Sequence, residues 1–426
     1  MNYLHLTNEE AKKEKERLLE IYNEYKSKHL KLDMSRGKPG KRQLDITMGM
    51  LDVIKNDSDC QSVSGIDCRN YGLLDGIPEA KKMFSDLLSI PEQRIIVAGN
   101  SSLNLMYDTL SRAMLYGVVG SDQPWCRLEK VKFLCPSPGY DRHFAICQSL
   151  GIEMITVPMT PEGPDMDEVE RFASDPSVKG IWCVPKYSNP TGIVYSDNTV
   201  RRFASLKPAA KDFRIFWDNA YAVHDFDTDH PEKLLDIFAE AEKYGNTDMI
   251  FYFASTSKIT FPGSGVAIMA ASEKNIDQIK QIMTVQTIGY DKINMMRHVK
   301  YFGDTDGILR HMRLHASIIK PKFEIVLNTL ESELGGTGIA QWSRPKGGYF
   351  ISLDVADNTA KRVYKLVKEL GVTITPAGAT FPYGIDPNDR NLRIAPTFPP
   401  DAELETAGKI LCLCVKIAAL EKIYNL

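Results

Sequence analysis

No apolar run in the sequence approaches the roughly 18 residues that a bilayer-spanning helix needs. The opening stretch, MNYLHLTNEEAKKEKE, lacks an apolar core and is charged within its first ten positions, so no secretory leader is expected there. The eight cysteines, at 60, 68, 126, 135, 147, 183, 412 and 414, include no C-x-x-C pair and no Cys/His cluster with zinc spacing. No metal site is therefore expected. Cys412 and Cys414 lie in ILCLCVKIAAL, where small buried thiols are the expectation. A reducing, cytoplasmic compartment follows as the default. Internal repeats, low-complexity tracts and Gly/Ser linkers are missing too. Basic charge is not in excess: the formal charge is −3, which argues against nucleic acid as a partner.

What is present fits a globular enzyme. The 426 residues are 43% hydrophobic and 25% charged, which excludes a disordered or collagenous chain. At about 150 residues per domain, that length predicts two to three domains. Thr7 with Glu10 has the form of a capping box, and Leu18, Ile21, Tyr22 and Tyr25 give one apolar stripe at helical spacing, so a first helix is predicted. Gly37, Pro39 and Gly40 in LDMSRGKPG then force an irregular loop.

From about residue 94, short apolar runs alternate with helical patterns: RIIVAG, VKFLCP, VKGIWCVP, FRIFWD, MIFYFAS and GVAIMAAS. Such runs predict an α/β fold with a mostly parallel sheet, buried on both faces and flanked by helices. Ligands in these folds sit beyond the carboxyl ends of the strands. Polar residues gather at those ends: Asn100, Ser101 and Ser102, then Tyr140, Asn189, Asp218 with Tyr221, and finally Ser255, Ser257 and Lys258. From about 306 the pattern changes to long helices and shorter strands (YFISLDV, VTITPAG, NLRIAPT), which predicts a second, smaller α+β domain.

Lys258, in FASTSKITFPGSG, directly follows an apolar strand. Ser255 and Ser257 supply hydroxyls suited to a phosphate, and Gly263 and Gly265 allow backbone to approach a ligand closely. A lysine beside a phosphate subsite can form a Schiff base with an aldehyde cofactor. Such an electron-sink cofactor needs a carboxylate to hold its pyridine nitrogen protonated, and Asp218 is the candidate. Asn189 and Tyr221 offer donors to a phenolic oxygen, and Tyr140 an aromatic face for the ring. GNSSLNLMYDTL reads as glycine, polar residues and a helix start, the makings of a phosphate cradle.

Together SNPTG (188–192), DNAY (218–221), STSK (255–258), YGLLDGIPE (71–79) and NLRIAP (391–396) resemble a fold-type I pyridoxal-phosphate aminotransferase of class I/II. SRGKPG, GNSSLNLMYD, PSPGYDRHF and SKITF resemble a bacterial aspartate aminotransferase subgroup within it. The resemblance runs from about Ser35 to Pro396. It implies a large seven-stranded-type sheet domain that binds pyridoxal 5'-phosphate over 56–305. It also implies an N-terminal helix and arm over 1–55 that join a small domain at 306–426. Lys258, Asp218 and Tyr221 become the catalytic residues. Ser101, Ser102, Tyr140, Asn189, Ser255 and Ser257 become cofactor ligands beside them. Arg393 would clamp the substrate α-carboxylate next to Asn189, with Gly37 in the loop that closes over substrate. Tyr71 would reach the phosphate of a neighbouring subunit, which implies a homodimer.

One departure from the family pattern stands out. Many relatives carry a phosphate-anchoring arginine roughly eight residues after the lysine, whereas this chain reads PGSGVA. Ser264 with backbone amides, or a cation such as Lys186, are the candidates to replace it. A dicarboxylic substrate needs a second cation as well. Lys292, Arg297, Arg142, His143, Arg36 and Lys38 are the candidates, and no one of them is singled out. The expected reaction is aspartate:2-oxoglutarate transamination by a ping-pong mechanism. The alternatives are another amino donor (alanine, aromatic or aminoadipate-like), or β-elimination or decarboxylation on the same scaffold.

Overall fold

The computed structural model describes residues 2–426. Its centre is an eight-stranded sheet whose inner strands, buried along almost their whole length, explain the unbroken apolar runs. Across the sheet the strands run Ile95–Val97, Ala267–Ala271, Ile250–Ser255, Arg214–Asp218, Val178–Cys183, Lys132–Ser137, Glu153–Thr160 and Gly163–Pro164. The five from Ile250–Ser255 to Glu153–Thr160 are parallel neighbours. Ala267–Ala271 is antiparallel to both of its neighbours, and the two-residue Gly163–Pro164 pairs antiparallel at the edge. The sheet is thus seven strands plus a short two-residue edge.

Alternation along each strand sends side chains to opposite faces. Ile215 and Trp217 join one apolar cluster, while Phe216 between them joins the other. Burial on both faces is why these runs carry almost no polar residue until the strand ends. The expected runs gave six of the strands. Glu153–Thr160 did not stand out, because its exposed positions break the apolar run.

A third apolar cluster takes in both ends of the chain. The first helix, Asn8–Ser27, has the predicted capping box: Glu10 N donates to Thr7 Oγ1 at 3.2 Å and Thr7 N to Glu10 Oε2 at 2.8 Å. Its Leu18 and Tyr22 are buried with Leu411, Cys412 and Cys414 of the closing helix Asp401–Tyr424. All eight cysteines are free, and every one but Cys126 is buried. A three-stranded antiparallel sheet, Ala340–Trp342, Ile351–Val355 and Asn391–Ile394, completes this unit. VTITPAG contributes only Val372–Thr373, paired parallel with Leu32–Asp33. The helix Thr305–Leu334 ties the units together: Ile308 and Met312 enter the sheet core, and Phe323, Val326 and Leu330 the other. Among the described residues, no helix is long and apolar enough to cross a membrane.

Candidate active site

The parallel strands deliver their polar termini to one cavity of about 200 Å³. Ser101, Ser102, Tyr140, Asn189, Asp218, Tyr221, Ser255, Ser257 and Lys258 all line it. Nine residues singled out in the sequence therefore share one space.

Lys258 sits three residues beyond its strand, with Nζ 4.9 Å from the Tyr221 ring centre and 6.0 Å from that of Tyr349. Burial lowers the pKa of its ammonium; the nearby Asp218 carboxylate opposes that shift and the Arg393 guanidinium adds to it. A larger neutral fraction makes the amine a better nucleophile. Tyr140 and Tyr221 have phenol pKa values pushed up, chiefly by burial, so both remain neutral and able to donate.

Asp218 ends its strand buried at 2% exposure. Its Oδ2 accepts from His143 Nε2 at 3.1 Å, while its Oδ1 is buried with no hydrogen-bond partner. A carboxylate can only accept, so the proton of this pair lies on Nε2. His143 is in turn stacked on Trp182, with centroids 4.4 Å apart and planes 9° apart, and edge-on to Tyr140 at 4.9 Å. His143, a candidate cation for a substrate side chain by sequence, instead lies against Asp218. Its position in the first turn of the helix Asp141–Ser149, three residues after Tyr140, was the available signal.

At the phosphate end, Ser101 caps the helix Ser102–Tyr116, its Oγ accepting from Asn104 N at 3.4 Å. Ser255 Oγ donates to Ser257 Oγ at 3.1 Å, and Ser257 Oγ donates to the Asn100 carbonyl at 2.8 Å. In this arrangement the Ser101 and Ser102 hydroxyls and the first helical N–H groups are the donors left for an anion. Gly265 is held by its own chain rather than by ligand approach. A Cβ there would lie 2.9 Å from Asn100 O and 3.1 Å from Ser257 N. Lys186 does not reach this end: its Nζ donates to Asp225 Oδ2 at 2.9 Å and to Ala222 O at 3.0 Å. Ser264 lines a separate cavity of about 460 Å³ with Asn100 and Arg297.

Arg393 lies beside the cavity, buried at 7% exposure. Its Nη1 donates to Asn189 Oδ1 at 3.2 Å, which leaves the Asn189 amide N–H groups to face the cavity. The Phe350 ring lies 4.9 Å from the guanidinium, and a Cβ on Gly37 would collide with that ring. The loop glycine is thus in contact with the residue that supports Arg393. Tyr71 is the exception among the expected site residues. It is 80% exposed and outside its own chain's cavity.

Among the described residues, none of the candidate side-chain cations lines the cavity around Lys258. Arg142 and Arg36 are exposed, and Lys38 Nζ lies 3.7 Å from the Phe398 ring centre. Lys292 is buried in the helix Lys292–Phe302, and Arg297 faces the separate cavity. No local pattern marks Tyr349, whose hydroxyl donates to the Lys258 carbonyl at 3.2 Å and accepts from Gln43 Nε2 at 2.9 Å.

Comparison with known proteins bears directly on this arrangement. Residues 6–425 match the profile of the aspartate amino-transferase family. The chain belongs to the aspartate aminotransferase family. An aspartate aminotransferase of Corynebacterium glutamicum is 45% identical over 404 residues, 95% of this chain and 93% of that one. A crystal structure of an aspartate transaminase from the same species superposes with a TM-score of 0.96 at 43% identity, covering 99% of each chain. The fold is shared more widely: an alpha-aminoadipate aminotransferase of Thermus thermophilus, solved with N-(5'-phosphopyridoxyl)-L-leucine, gives a TM-score of 0.73 at 18% identity, over 90% of this chain and 92% of that one.

Aminotransferases of this family are pyridoxal-phosphate-dependent, and the donor set of the cavity can be tested against that cofactor. The orphaned Asp218 Oδ1 requires a buried donor, which a protonated pyridine nitrogen supplies. The free Ser101 and Ser102 hydroxyls face the same space as the Lys258 amine. The residues fit the group.

Proposed function

We propose that this aminotransferase carries out aspartate:2-oxoglutarate transamination by a ping-pong mechanism, in the cytoplasm, as a homodimer. The observation that carries the mechanistic reading is the meeting of the Lys258 amine, the unpaired Asp218 oxygen and the buried Arg393 guanidinium around one cavity. Relatives named for aspartate at 43–45% identity support the substrate. Buried free cysteines accord with a reducing compartment.

Pyridoxal phosphate, when bound, supplies the electron sink that makes the substrate Cα–H acidic. The protein's part is then divided among its side chains. Asp218 holds the pyridine nitrogen protonated, and His143 fixes that carboxylate in place. Asn189 and Tyr221 would donate to the phenolic oxygen, Tyr140 would offer its aromatic face to the ring, and Ser101, Ser102, Ser255 and Ser257 would hold the phosphate. Lys258 Nζ takes the proton from the substrate Cα, a role suited to an amine whose pKa burial has lowered. Arg393 binds the α-carboxylate, with Gly37 closing over it from the loop. Tyr71, exposed next to a chain segment that also bares Val63, would complete the phosphate site of the partner subunit.

Single amino acids mixed with the purified, cofactor-loaded protein test the substrate directly. Aspartate and glutamate are expected to change its visible spectrum in a half-reaction. Conversion by alanine or an aromatic amino acid, with none by aspartate, overturns the assignment. Arg393→Lys is expected to raise KM for aspartate about 10–100-fold, because an ammonium cannot make two parallel bonds to a carboxylate. Steady-state kinetics check this, and an unchanged KM removes Arg393 from the substrate site.

A further inference from the structure

The Arg393 guanidinium already holds a carboxylate of its own chain. Its Nη1 donates to Asp141 Oδ1 at 2.7 Å as well as to Asn189 Oδ1, so both Nη1 hydrogens are taken. Its Nε donates to Thr375 Oγ1 at 3.2 Å. Among the described residues, Nη2 has no hydrogen-bond partner and is not sealed from solvent. A ligand carboxylate bound through two parallel bonds needs Nη2 together with one neighbouring N–H. One of the three existing partners must therefore give way.

Those partners differ in what leaving costs. Asn189 and Thr375 are neutral and buried, and neither repels an incoming carboxylate. Asp141 is the only anion of the three, and its side chain is 32% exposed against 8% for Arg393. It can turn to water at little desolvation cost, whereas holding two carboxylates on one guanidinium would be repulsive. Without ligand, the buried guanidinium needs a counter-charge, and Asp141 is where the structure supplies it.

We propose that Asp141 is an exchangeable counter-ion for Arg393: the substrate α-carboxylate displaces that of Asp141 from Nη1, and the charge at position 141 sets the affinity for carboxylate ligands. This rests on the reading of Arg393 as the α-carboxylate clamp. Binding is then a swap of one carboxylate for another, and affinity is lower than the guanidinium alone would give. The competing role, in which Asp141 stays bound and orients the arginine for its ligand, predicts the opposite effect of removing the charge.

Isothermal titration of the cofactor-loaded protein with propionate, a carboxylate without an amino group, separates the two. Asp141→Asn is expected to bind propionate about tenfold more tightly than wild type, the scale of one charged hydrogen bond. Asp141→Glu, which restores the competing charge, is expected to return affinity to within about threefold of wild type. Arg393→Gln is expected to lose propionate binding. Unchanged or weaker binding in Asp141→Asn, with binding lost in Arg393→Gln, overturns the exchange but leaves the clamp standing. Propionate binding that survives in Arg393→Gln removes the clamp, and the exchange with it.

Discussion

Lys258→Ala is expected to reduce transamination by at least about 10⁴-fold, the upper end of what a positioned acid–base group contributes. The variant loses both the amine that captures the cofactor aldehyde and the base that moves the α-proton. It should nevertheless fold and bind pyridoxal phosphate. The rest of the cavity survives: Asp218 keeps His143 at 3.1 Å, and the serines and the helix N-terminus at Ser102 are untouched. What the fold loses is a cation near the rings of Tyr221 and Tyr349, an interaction on the order of 1 kcal/mol. Borohydride reduction gives a readout independent of turnover. It should attach the cofactor covalently to the wild-type protein and leave the variant unlabelled. Turnover within tenfold of wild type, or a label that persists in the variant, would remove Lys258 from its role.

The site was legible in the sequence to the extent that strand ends are. A run such as RIFWD must stop being apolar where the strand leaves the core, so Asp218 announces both the end of the strand and the edge of the cleft. The same logic found Lys258, Asn189 and the serines. It could not give direction. GVAIMAAS reads like its parallel neighbours, yet Ala267–Ala271 runs antiparallel, because burial on both faces leaves the same pattern in either orientation. Pairings that join distant segments were equally silent. Asp141 meets Arg393 across 252 positions, and Tyr349 meets the Lys258 carbonyl across 91. Lys186 misled for a related reason. Its partner Asp225 lies 39 residues away in the sequence, and nothing local marks the two as a buried pair.

Asp218→Asn isolates charge from shape in the same cavity. The amide is nearly isosteric, so packing around Trp182 and His143 should change little. The buried site, however, would hold a neutral group where the pyridine nitrogen needs an anion. In so dry a position the lost interaction is only weakly screened. Loss of one preorganised electrostatic partner of this kind costs on the order of 10²–10³ in kcat. The expected result is therefore a fall of that size in kcat, with KM for aspartate altered far less because Arg393 is intact. His143→Gln supplies the comparison. Among the described residues, the imidazole's one hydrogen bond is to Asp218 Oδ2, and its only other contact with a cavity residue is edge-on to Tyr140. The variant leaves the carboxylate charged and should cost no more than about tenfold, the scale of one hydrogen bond to a charged group. If Asp218→Asn costs no more than His143→Gln, position and not charge is what Asp218 provides. A kcat near wild type in Asp218→Asn would mean that the unpaired Oδ1 does not face the cofactor nitrogen.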